Sequence, residues 1–249
     1  MNTKVVKMRP IVCFIPCCRN KLASGQVIGS NNALSWKELP TKWDLLEKAR
    51  SKTKDMAAER TNNIHFAQNS PFTSALCLYT GAFYRQLSLR DLTREIQTER
   101  LRLFILSAGY GIVDAFEPLQ EYDAEMKGKV ARHWKAFSLE EIISELLLTL
   151  KPKSVFGFFA GTEVWSDPGA KYRYFFIDGL NRALSEGLDV EQNGCFFRSA
   201  GLGTTQILGS LGRVFMDLVR SRYSESLVSN IVKNCRIDGT VAISFRKQS

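Results

Sequence analysis

Hydrophobic residues along this chain fall into short unbroken runs separated by longer stretches of helical spacing. Ile11 to Pro16 is apolar throughout and opens into the polar turn Cys17 to Gly25; Leu101 to Leu106 and Lys153 to Phe159 repeat the theme. Runs of this length without alternation read as strands buried on both faces. Between them, Ser35 to Arg60 has a basic helical pattern, split near its start by Pro40. Ser70 to Glu99 reads as helix in pieces, broken at Tyr79-Thr80-Gly81 and again near Ser88. A helix over Leu139 to Leu150 has a marked start, with Ser138 as cap and Glu141 three residues on, the spacing of a capping box. Further helices are expected over Tyr172 to Glu186 and from Gly203 towards Arg222, and Thr240 to Phe245 reads as a closing strand. Strands alternating with helices predict one compact α/β domain over residues 1–249, with a mixed or mostly parallel sheet flanked by helices. Within it, residues 35–60 read as a basic helical insertion.

Composition narrows the class. Hydrophobic residues are 45% and charged residues 24% of 249, enough for a proper core. The longest apolar stretches, Ile11 to Cys18 and Val155 to Ala160, are far shorter than the ~20 residues that cross a bilayer. The apolar run behind Lys4, Lys7 and Arg9 ends in Arg19-Asn20-Lys21 with no small-residue cleavage site, so a cytoplasmic protein without membrane contact is expected. Lys and Arg number 34 against 25 Asp and Glu, a net charge of +9, which favours a polyanionic partner. The six cysteines include no C-x-x-C pair and there are two histidines, so neither a metal nor another cofactor is expected. Cys17 and Cys18 stand beside Arg19 and Lys21, cations that stabilise a thiolate.

In open α/β sheets, ligands gather beyond the carboxyl ends of the strands. The segments Cys17 to Lys21, Ser107 to Asp123 and Ala160 to Trp165 each follow an apolar strand and are expected to share one cleft. Ser107-Ala108-Gly109-Tyr110-Gly111 offers a hydroxyl, stacking rings and glycines that permit close backbone approach, and Asp114 and Asp123 supply carboxylates. An acidic solvated loop shaped by its glycines explains the same letters. Gly161 ends the third strand. Gly201-Leu202-Gly203 has the form that opens the second helix of a helix-hairpin-helix module, where free N–H groups hold a phosphate. Residues 195–223, with Arg213, are therefore a candidate DNA-binding segment of that kind.

Several of these stretches resemble the peroxide-stress protein YaaA family. Leu106-Ser107-Ala108-Gly109-Tyr110-Gly111, Glu117, and Gln120-Glu121-Tyr122 to Glu125-Met126 are similar to its L-S-x-x-Y-G, acidic position and Q-P-Y-x-x-E-M; Tyr79-Thr80-Gly81 resembles its Y-T-G. Glu121 replaces the family's proline, and the turn Pro16 to Lys21 is longer than the family's S-P-A-K, as in a divergent member. The resemblance implies a compact α/β fold, a positively charged cleft and DNA binding. Extended from there, the expected activity is that of a DNA glycosylase acting on a modified base, such as one found in phage DNA, flipped out of a duplex. Tyr110 and Tyr122 would box the base, Ser107 would bond its edge, and Asp114 or Asp123 would support the sugar cation and position water. Cys17, Arg19, Lys21, Tyr79 and Thr80, with the glycines, would hold the nucleic acid. The competing expectations are a non-catalytic DNA-binding protein of oxidative stress and an enzyme of free nucleotides.

Overall fold

The run Ile11–Pro16 becomes β1, with a parallel strand on each side of it. In the computed structural model, residues 9–29, 33–58, 64–161, 168–198, 203–221, 223, 230, 236–237, 240–241 and 243–248 are described. After β1 come α1 (Trp43–Ala58), β2 (His65–Phe66), β3 (Thr73–Ser74), α2 (Ala75–Leu78) and α3 (Leu89–Gln97). β4 (Leu101–Ser107), β5 (Gly111–Asp114), β6 (Pro118–Leu119) and β7 (Tyr122–Asp123) precede α4 (Gly128–Ala136) and α5 (Leu139–Leu150). β8 (Ser154–Phe159), α6 (Pro168–Ser185), β9 (Gln192–Arg198) and α7 (Thr204–Arg220) follow, then β10 (Arg236–Ile237), β11 (Thr240–Val241) and β12 (Ile243–Arg246).

The main sheet has the order β12-β9-β8-β1-β4-β5. Its four inner strands are parallel, and the edge strands β5 and β12 are antiparallel to their neighbours. Both faces are covered, which is why the central strands β1 and β8 are apolar along nearly their whole length. On one face Phe14 and Phe159 pack on Phe176 of α6, with ring centroids 5.2 and 5.5 Å apart. A Cβ at Gly157 would lie 2.5 Å from the Phe176 ring, so α6 approaches this closely only over glycine. On the other face Phe158 meets Phe215 of α7 at 5.2 Å. Among the described residues no helix is long and apolar enough to cross a membrane.

Some local details differ from expectation. Ser138 precedes α5, but in the left-handed region (φ 50°) and without a side-chain cap. Glu141 is drawn instead into ion pairs with Lys42 at 2.8 Å and Arg182 at 3.4 Å, so no capping box forms. In the basic stretch, α1 starts at Trp43, past Pro40, and buries Leu46, Ala49, Arg50 and Thr53. Thr53 Oγ1 lies 2.9 Å from Nε2 of His133 on α4, tying α1 into the body of the fold. Finally, a helix-hairpin-helix needs a helix before Gly201, where strand β9 stands. Gly201 itself and residues 199–202 lie outside the described residues, and α7 begins after Gly203.

Candidate functional site

The carboxyl ends of β1 and β4 lie side by side, since Pro16 pairs with Leu106 in register. Past β1 the chain continues the ladder by one bond, Cys17 N–H to Leu106 O at 2.8 Å, and then crosses to the segment after α2. Thr80 N–H donates to Asn20 O at 3.0 Å and Leu22 N–H to Leu78 O at 2.8 Å, with Lys21 and Tyr79 paired between them. Gly81 N–H donates to Cys18 Sγ at 3.3 Å. The polar turn is thereby strapped down over the ends of the strands.

Beneath it runs a row of buried hydroxyls. Ser107 Oγ is 2.7 Å from Tyr122 OH, which is 2.9 Å from Tyr79 OH, and Tyr110 N–H donates to Ser107 Oγ at 3.0 Å. Cys17 Sγ lies 3.1 Å from Tyr172 OH on α6. Burial pushes the phenols of Tyr79, Tyr122 and Tyr172 well above their ordinary range, and the thiol of Cys17 beside them raises them further. They stay neutral at physiological pH, each able to donate one hydrogen bond and accept another.

Above Tyr122 opens a cleft of about 430 Å³ lined by Arg19, Asn20, Lys21, His65, Glu121, Tyr122 and Asp123. Lys21 Nζ stands 4.1 Å from the centre of the Tyr122 ring, a cation–π contact. Among the described residues Arg19 and Lys21 form no ion pair, but two carboxylates face the same space, so the cleft is of mixed charge rather than uniformly positive.

Ser107, Tyr122, Lys21, Tyr79, Cys17, Arg19 and Asp123 are thus drawn together; others are not. Asp114 lies three residues along the β4–β5 hairpin from the Ser107–Gly111 pair, roughly 10 Å at strand spacing. There it is buried against Arg102 at 3.3 Å, and burial outweighs that attraction, pushing its carboxyl up to about 7. Glu117 is likewise committed, to Arg50 at 2.9 Å.

The glycines of the central motif lie close against side chains. A Cβ at Gly109 would come within 2.6 Å of the Tyr122 ring, and one at Gly111 (φ 74°) within 2.5 Å of Trp134. Tyr110 and Tyr122 form no open box. Tyr110 is buried edge-on to Tyr122 at 5.3 Å, and Tyr122 is also stacked on Phe66 at 5.8 Å. Gly161 is buried and its carbonyl accepts from Arg173 at 3.1 Å, whereas Thr162 to Trp165 lie outside the described residues. Gly203 caps α7, and Arg213 is exposed on that helix, its guanidinium bonded to Ser210 at 3.0 Å.

The sequence profile of the peroxide stress protein YaaA family matches residues 19–151, just over half of the chain. The chain belongs to this family. No curated protein matches it. The YaaA match takes in Arg19 to Lys21, Tyr79-Thr80-Gly81, Ser107 and Tyr122, but starts after Cys17 and Cys18 and stops before Tyr172, which the remainder of the chain contributes to the same site. Tyr172 and His65 escaped the sequence reading: Tyr172 sits in an aromatic-rich helical stretch without a motif, and His65 had only its rarity to mark it.

Proposed function

We propose that this YaaA-family protein binds DNA through the cleft over Tyr122 and hydrolyses the N-glycosidic bond of a modified base held there. The observation that carries the reading is one exposed carboxylate, Asp123, in the same hollow as Arg19 and Lys21, two cations without an ion pair among the described residues, beside Tyr122. The volume is of the order of small-ligand sites, about 300–1,000 Å³. Arg19 and Lys21 supply charge for a backbone phosphate. Asp123 orients a water whose oxygen attacks the anomeric carbon as the carbon–nitrogen bond breaks, and its charge steadies the sugar cation. The base departs with a proton. Ser107, wholly buried, acts by holding Tyr122 rather than by touching the base.

A second reading, a non-catalytic DNA-binding protein of the peroxide-stress response, is favoured by one feature. Phe66, Tyr110 and Lys21 already occupy the surroundings of the Tyr122 ring, leaving no bare stacking platform. Incubation with plain and naturally modified duplexes, followed by alkali, separates the two. Strand breaks at modified bases that vanish in Asp123→Asn, with DNA affinity kept, support hydrolysis. Intact DNA on every modified substrate, with salt-sensitive binding, leaves the second reading.

A further inference from the structure

The cleft over Tyr122 is the middle of three neighbouring hollows that share lining residues. It shares Arg19 and Asn20 with a hollow of about 240 Å³, where the turn after β1 meets Arg85 and Thr205 of α7. It shares His65 and Ala67 with a third, of about 510 Å³, lined further by Lys54, Gln68 and Gln120. Each outer hollow carries an exposed cation, Arg85 or Lys54, that forms no ion pair among the described residues. His65, exposed between the middle hollow and the third, sets one aromatic ring along the way.

We propose that this row of hollows is a track for single-stranded DNA. The nucleotide over Tyr122 is flanked by one neighbour in the hollow beside Arg85 and another in the hollow beside Lys54. This rests on the DNA-binding reading and extends it to the form of the substrate. A duplex presents two backbones to a broad surface. A row of hollows of a few hundred Å³ each, with a cation at every step, suits unstacked nucleotides taken one at a time.

The test is fluorescence anisotropy of the full chain with a short labelled single strand and its matched duplex, repeated across salt concentrations. The single strand is expected to bind more tightly. Lys54→Gln and Arg85→Gln are each expected to flatten the dependence of log affinity on log salt by about 0.7, roughly fivefold per decade of salt. Lys48→Gln, exposed on α1 outside the groove, is expected to leave the slope alone. If Lys54→Gln and Arg85→Gln change no more than Lys48→Gln while Lys21→Gln still weakens binding, the middle cleft binds alone and the track is refuted. A duplex that outcompetes the single strand refutes it too. Wild-type protein that binds neither form removes the DNA-binding reading itself, a result distinct from both.

Discussion

Gly109→Ala tests whether the central motif is built around Tyr122. The added methyl would stand 2.6 and 2.7 Å from two carbons of the Tyr122 ring, where carbon atoms ordinarily keep about 3.5–4.0 Å. The ring must therefore move by roughly 1 Å. A shift of that size stretches the 2.7 and 2.9 Å bonds of its hydroxyl to Ser107 and Tyr79 beyond useful length. Overpacking costs about 1–3 kcal/mol, and the two buried bonds add about 1 kcal/mol each. A total near 3–5 kcal/mol lowers the melting temperature by roughly 6–20 °C in a chain of this size. Urea unfolding of Gly109→Ala, Tyr122→Phe and the double variant measures the coupling, expected at about 1–2 kcal/mol because the phenylalanine has no hydroxyl bonds left to stretch. Gly187→Ala is the control. Its φ of 95° and empty surroundings expose strain alone, about 1–2 kcal/mol. A Gly109→Ala protein destabilised by less than about 0.5 kcal/mol, or strict additivity with Tyr122→Phe, would refute this account.

Arg50→Met leaves Glu117 and the carbonyls of Tyr110 and Ile112 without the guanidinium that binds them at 2.9, 3.1 and 2.6 Å; denaturant titration should show a loss of about 3–5 kcal/mol. Asp114 holds its proton more tightly folded, near 7, than unfolded, near 3.8, so its stabilising contribution is complete below pH 4 and fades as pH rises to 7. Asp114→Asn should flatten that part of the stability profile in urea titrations from pH 4 to 8. Lys21→Gln should weaken duplex binding at low salt and reduce the salt slope by about 0.9, read by anisotropy.

Much of the scaffold was legible because buried parallel strands announce themselves: Ile11–Pro16, Leu101–Leu106 and Lys153–Phe159 all became inner strands. β9, with polar Gln192, Asn193 and Arg198 around a short apolar centre, was missed, as were the edge strand β5 and helix α4. The neighbourhood of Ser107, Tyr122 and Lys21 followed from the rule that loops converge at strand ends. What each residue does there did not follow. Asp114 is two residues past Ile112 and looks like part of the loop, yet the antiparallel turn of β5 carries it back along β4 to Arg102. Gly109 and Gly111 signal close approach, but the letters cannot say that the approaching groups are Tyr122 and Trp134. Tyr172 reaches Cys17 from 155 positions away, a distance no motif spans.

The central place of β1 has a consequence for biosynthesis. Ile11 pairs with Leu101 on one side and Ser154 on the other, partners 90 and 143 residues downstream. On the ribosome, the sticky hexapeptide Ile11–Pro16 must wait for about 90 further residues before its first neighbour exists and about 143 before its second. Closing such long loops slows folding and prolongs exposure of an aggregation-prone segment. Nascent chains halted before β8 would thus be natural clients for a chaperone, and truncation before Ser154 should leave an aggregating chain rather than a smaller working piece.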